Sequence, residues 1–187
     1  MSAADGLTGN SDLQKRILFT LAMLAIYRLG VHVPTPGVDG QAVLGFFQNQ
    51  GGIFGLFNTF TGGALNQFSI FALGIMPYIS SSIIFQLLTA VVPALEQIKK
   101  EGEPGRKKIT QYTRYGTVVL AVVQGYAISS WLMSSNFENR PLVVSTSVGI
   151  LPFQVMTILT LTAGTCFIMW LGEQITERGF GDGSSLI

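Results

Sequence analysis

The chain has 187 residues, 48% of them hydrophobic and only 11% charged, with a formal net charge of +1 and a mean hydropathy of +0.47. Soluble globular domains carry roughly 25% charged residues, so there is too little polar surface here to clothe a water-facing domain, and the composition defines a polytopic, all-α membrane protein. A balance this close to neutral offers nothing to nucleic acid, and one cysteine (Cys166) with one histidine (His32) rules out an intrachain disulfide and leaves no Cys/His cluster for a metal.

The polar, small-residue-rich N-terminus precedes an apolar run at 17–33 with no cleavage signature, so that run reads as a retained helix rather than a signal peptide. At 1.5 Å per residue it gives roughly 25 Å of helix. Arg28 lies near its far end, within reach of the headgroups. "HVPTPGVDG" stops it, because Pro34 and Pro36 each remove a backbone donor and push the preceding residue to extended geometry.

From Gly40 to Leu95 there is no charge. Gly62-Gly63, Asn66-Gln67 and Pro77 interrupt this stretch. It is therefore read as a polar loop to residue 52, a short helix at 53–65 and a membrane helix at 69–92. A basic loop at 96–111 leads to a third span at 112–133, closed by Trp131 at an interface-like position. The fourth span runs over 152–171, with Pro152 in its first turn, where a missing N–H is harmless. Residues 184–187 look like the start of a fifth span, as expected of a piece of a longer chain.

Lys15 and Arg16 precede the first span, six cations from Lys99 to Arg114 lie between the second and third, and Arg178 follows the fourth. Only Arg140, with Arg28, faces the other way. The positive-inside bias then places the N-terminus and the basic loop in the cytoplasm. The cations Lys99, Lys100, Arg106, Lys107 and Lys108 read either as that topological signal or as a docking surface for a cytoplasmic partner or anionic lipid.

Catalytic constellations are missing. Glu173 and Glu177 share a helix face, but no histidine stands beside them, and the pair reads as a solvated helix end. "GFGDG" lacks the strand and helix that a phosphate loop needs, and reads as a joint.

The broken second span says more. In hydrocarbon an unpaired backbone group costs several kcal/mol, so irregular backbone survives only against protein or a water-filled cavity. The breaks imply a conduit or a binding site. A helix over 53–65 spans about 20 Å and cannot cross a ~30 Å core. In the helix beyond, Ile75 and Ile79 share a face, with Ile83 a further turn along. That stripe is a helix-packing face or a hydrophobic constriction that seals an aqueous path.

The strings "VPTPGVD", "FNTFTGGALNQFSIFALGIMPYISSSIIFQLLT", "EQIKKEGEPGRKKITQYTRYGT" and "MWLGEQITERGFGDGSSLI" cover most of residues 15–187. In them the chain resembles the SecY family of bacterial protein-translocation channels, departing only slightly where Asp182 replaces the family's asparagine in "GDG". The resemblance implies the first half of a ten-helix channel built of two inverted halves in the bacterial cytoplasmic membrane, with SecE and SecG as companion subunits. It implies a plug at Ile53, Phe54, Leu56, Phe57, Asn58, Phe60, Thr61, Gly62 and Gly63, and a pore ring that includes Ile75 and Ile79. The second and third helices would form one side of a lateral gate facing lipid, with Ser80 and Gln124 as its polar contacts. The five cations at 99–108 would face SecA or a ribosome, and signal sequences and unfolded polypeptides would be the passengers. No cofactor and no catalysis are implied.

A secondary transporter also uses broken helices near the midplane. It calls for ionisable groups deep within the spans, whereas Arg28 and Arg114 each lie near a span's edge. A non-conducting scaffold leaves the short helix at 53–65 unexplained.

Overall fold

The computed structural model describes residues 11–187 except 50, 51, 53–55, 57, 58, 60–62, 64, 65, 67, 138, 139, 144–146, 149 and 150. Helices α1 (Ser11–Val31), α2 (Gly40–Asn49), α3 (Met76–Val91), α4 (Pro93–Lys100), α5 (Glu103–Ser134), α6 (Phe153–Arg178) and α7 (Gly183–Leu186) follow in order. The expected all-α character holds apart from two short antiparallel pairs between α5 and α6. Asn136–Phe137 (β1) pairs with Arg140–Pro141 (β2), and Ser147–Val148 (β3) with Leu151–Pro152 (β4).

Among the described residues α5 and α6 are long and apolar enough to cross a membrane, and α3 with α4 makes a third span if that bent pair is counted as one. α1 does not meet the same standard. Every 18-residue stretch within its bounds contains Lys15, Arg16 and Arg28, so its apolar part is framed by cations whose long stems must reach the headgroups. Pro93 explains the bend after α3. It forces Val92 to φ −95°, ψ 113°, and the helix axis turns by 99° there.

Three sequence expectations change. The "polar loop" before residue 52 contains α2, capped by the Asp39 carboxylate, which accepts from the Gln41 N–H at 3.0 Å and the Ala42 N–H at 3.3 Å. Ala42 and Val43 of this helix are buried, and Phe46 meets Trp131 edge-on at 5.2 Å. The "basic loop" at 96–111 is almost wholly helical, with only Glu101 and Gly102 between α4 and α5. The membrane helix predicted from residue 69 begins at Met76, because 68–75 are taken up by turns and a bridge.

The core lies between α5, α6 and the irregular stretches that precede α2 and α3. Ala121, Leu132, Leu142, Phe153 and Leu161 pack with Phe68, Ala72 and Leu73. Small residues let the helices close on each other, as expected where lipid supplies no hydrophobic drive between them. Gly125 stands so near the Ile158 backbone that an added Cβ would lie 3.4 Å from its Cα. The hydroxyls of Thr113 and Thr117 donate to carbonyls one turn back within α5, at 3.0 and 2.8 Å, so the seam carries no free donor at those two positions.

Candidate functional site: a polar cavity that reaches Ile75

The turn at 68–75 is irregular backbone deep in the molecule, and its polar groups are paired. Thr35 N–H donates to the Phe68 carbonyl at 2.9 Å, Ile70 N–H to Val33 at 3.0 Å, Ala72 N–H to Ser69 at 2.9 Å and Gly74 N–H to Phe71 at 2.8 Å. The Ser69 hydroxyl accepts from the Phe71 N–H at 3.1 Å. Gly74 takes φ +58°, a left-handed turn that only glycine adopts freely. Pro77 sits in the first turn of α3, where its missing N–H does no harm.

Ile75 is the residue immediately before α3, and its carbonyl accepts the Ile79 N–H at 3.1 Å. The two side chains therefore stand one turn apart. Ile75 is half-buried against Tyr27, Val31, Phe71 and Ile168, whereas Ile79 is 37% exposed and Ile83 is exposed. A cavity of about 420 Å³ reaches Ile75. Tyr78, Ser82 and Gln86 of α3 line it, facing Thr110 and Arg114 of α5 and Met169, Glu173, Thr176 and Glu177 of α6, with Asp182 beyond. Its lining is mostly polar, with Ile75 and Met169 as the apolar side chains.

Arg114 and Glu173 form a fork across this wall. Nε donates to Oε1 at 2.8 Å and Nη2 to Oε2 at 2.7 Å. The Glu173 side chain is only 14% exposed and that of Arg114 is 46% exposed. The expectation of a solvated helix end therefore fails for Glu173, although Glu177 is exposed. Nothing local in the sequence signals a pair separated by 59 residues. On the neighbouring wall the Thr176 hydroxyl donates to the Gly172 carbonyl at 3.0 Å and accepts the Gly183 N–H at 2.9 Å, which fastens α7 to α6. Thr20 of α1 accepts the Phe180 N–H at 2.9 Å. "GFGDG", which the sequence reads as a flexible joint, is held at Phe180 and Gly183 by these two bonds.

The other predicted residues fall as follows. Ile53, Phe54, Phe57, Asn58, Phe60, Thr61 and Gly62 lie outside the described residues. Leu56 is exposed, with its N–H on the Gly52 carbonyl at 3.3 Å, and Gly63 has φ +89°. Ser80 on α3 and Gln124 on α5 are both half-buried, and no side-chain hydrogen bond joins them among the described residues. The contact between those helices is made one residue on, where the buried Ser81 hydroxyl donates to the Thr113 carbonyl at 2.8 Å. Of the five basic residues, Lys100 pairs with Glu96 at 2.7 Å and Lys108 with Glu101 at 2.9 Å. Lys99, Arg106 and Lys107 are exposed with no ion pair among the described residues.

Membrane helices gathered around a polar cavity, with irregular backbone paired inside the protein, define a multi-pass helical membrane protein. Comparison with known proteins sharpens this. The SecY family model matches residues 69–187. Protein translocase subunit SecY of Pseudomonas aeruginosa is 52% identical over 180 residues, which cover 96% of this chain and 39% of that protein. The Escherichia coli subunit of the same name is 50% identical over 184 residues, 96% of this chain and 40% of the relative. The chain belongs to the SecY family and spans about two-fifths of the length of these relatives. A Sec61 chain from a canine ribosome–channel complex of the endoplasmic reticulum shares the fold, with a TM-score of 0.61 at 16% identity over 93% of this chain and 35% of its own. A chain from a structure described as a protein-conducting channel matches with the same TM-score of 0.61.

Proposed function

We propose that this chain forms the first half of a protein-conducting channel in the bacterial cytoplasmic membrane, passing unfolded secretory polypeptides across it and releasing membrane helices sideways into lipid. One observation carries the reading beyond family membership: a polar-walled cavity reaches Ile75, which stands one helical turn from the partly exposed Ile79. Apolar side chains suit a seal around varied polypeptides, since they impose no fixed hydrogen-bond demand on the passenger. Ile75 and Ile79 are its contribution to the pore ring. The segment from Ile53 to Gly63 is the plug, and α3 with α5 is one side of the lateral gate, with Ser80 and Gln124 facing the passenger or lipid.

The N-terminus is cytoplasmic, and so is the α4–α5 hairpin, whose unpaired Lys99, Arg106 and Lys107 face SecA or a ribosome alongside the paired Lys100 and Lys108. SecE and SecG complete the channel. The protein is a conduit and not an enzyme, so the driving energy comes from its partners. The test replaces Ile75 and Ile79 together by serine in the full-length protein and records resting ion leak and preprotein export. Leak should rise, or signal-sequence stringency should relax. Unchanged leak and export, with loss of uptake of a small solute, would favour the transporter reading instead.

A further inference from the structure

α3 begins without a side-chain cap: Ile75 stands at its N-cap position and offers no polar group. Something other than local capping must fix where the helix starts, and hence where Ile75 and Ile79 stand. Phe71 lies four residues before that N-cap, in the turn that leads into α3. Its ring is stacked between Tyr27 of α1, 5.7 Å away with planes 9° apart, and Phe167 of α6, 5.9 Å away at 6°. It lies over Gly30 so closely that a Cβ there would overlap the ring, and on the other side Gly164 of α6 abuts the Ile70 carbonyl in the same way. The side chain is 2% exposed, and Ile75 packs against the same cluster.

Resting on the channel reading above, we propose that Phe71 is a positioning residue for the seal, a wedge clamped between α1 and α6 that sets the height of Ile75 and Ile79 relative to the rest of the channel. Stacked rings prefer offset, near-parallel packing at separations like these. The ring therefore resists both tilt and slide, whereas an aliphatic side chain of similar volume resists neither. Glycine is needed at 30 because the ring fills its Cβ position. It is needed at 164 because a backbone carbonyl does, and a backbone carbonyl cannot turn aside.

The geometry supplies a compensation test that a merely structural role would not pass. In the full-length protein with its companion subunits, Gly30→Ala should push the ring out and raise resting ion leak several-fold. Gly30→Ala combined with Phe71→Leu, which frees the crowded space, should bring leak down to the level of Phe71→Leu alone. Gly164→Ala meets backbone and should not be relieved by Phe71→Leu.

The wedge is overturned if Phe71→Leu worsens the Gly30→Ala defect or relieves Gly164→Ala equally. It is also overturned if Gly30→Ala leaves leak unchanged while serine at 75 and 79 raises it. If serine at 75 and 79 leaves leak unchanged, the channel reading itself fails, and the wedge falls with it. Should Gly30→Ala not accumulate, Phe71→Leu alone answers. It should raise leak at normal abundance and unchanged protease resistance, and an unchanged leak there overturns the wedge.

Discussion

The fork between Arg114 and Glu173 allows a quantitative prediction. Its hydrogen bonds, at 2.8 and 2.7 Å, tie α5 to α6 on the wall of the cavity. With charges about 4 Å apart and an effective dielectric of about 20, the Coulomb attraction is about 4 kcal/mol before desolvation and side-chain ordering are subtracted. Exposed pairs retain up to about 1 kcal/mol of such attraction, while breaking a buried pair costs about 3–5 kcal/mol. Glu173, at 14% exposure, resembles the second case, and Arg114, at 46%, the first. Solvent screening on the arginine side brings the expected coupling to about 1–2 kcal/mol. The assay is a double-mutant cycle with Arg114→Ala, Glu173→Gln and the double variant in the full-length protein, followed by tryptophan fluorescence during reversible unfolding in mixed detergents. Arg114→Ala should cost more than Glu173→Gln, since it strands a nearly buried carboxylate, and the cycle should close with favourable coupling in that range. Raising the salt to 1 M, where the screening length is about 3 Å, should weaken the coupling only in part. A coupling below about 0.5 kcal/mol, or one abolished by salt, would show that the fork is an ordinary surface pair and does not fasten α5 to α6.

Two further outcomes follow from hydrogen bonds. Ser81→Ala removes the buried bond from Ser81 to the Thr113 carbonyl and should destabilise the docking of α3 on α5 by about 1 kcal/mol, whereas Ser80→Ala should stay within about 0.5 kcal/mol of wild type; equal shifts in the unfolding midpoint would refute the distinction. Asp39→Ala should cost about 0.5–2 kcal/mol by uncapping α2, and Asp39→Asn much less. Amide exchange at 41–46 should accelerate in the alanine variant, and unchanged exchange there would mean that packing of Ala42, Val43 and Phe46, rather than the cap, holds this helix.

What the sequence made legible were features written in neighbouring residues. Prolines 34 and 36 mark where the first helix ends, and the spacing of Ile75 and Ile79 places them a turn apart. Two of the errors share one cause, the reading of polarity as loop. "GQAVLGFFQN" reads as loop for its glycines and amides, although Asp39 immediately before it is a cap and Ala42, Val43 and Phe46 form an apolar stripe. The run of lysines hid α4 and the start of α5, where Glu96 and Lys100 stand at helical spacing. In the run of three serines nothing local singles out Ser81, and only the approach of Thr113 shows which of them bonds α5. Long-range pairing decides such choices, and one sequence carries no record of it.

The irregular stretches change meaning once their bonds are traced. A break in a membrane helix suggests slack, yet Val33 and Thr35 in the first irregular segment bond to Ile70 and Phe68 in the second, while Asp39 N–H reaches the Leu142 carbonyl at 3.0 Å. Two segments that hydrocarbon would not tolerate singly satisfy each other inside the protein. Phe68, held at φ +44° and 1% exposed, bears a conformation of the kind that costs about 1–3 kcal/mol and persists only where its surroundings over-determine it. Residues 68–75 are therefore a fixed mount. In the channel reading, Ile75 stands at the end of that mount and Ile79 on the first turn of the helix it carries. Displacing either requires moving α3 past Phe71 and breaking the bond from its Ser81 to the Thr113 carbonyl of α5. The seal residues are then held by the same contacts that dock α3 onto α1, α5 and α6.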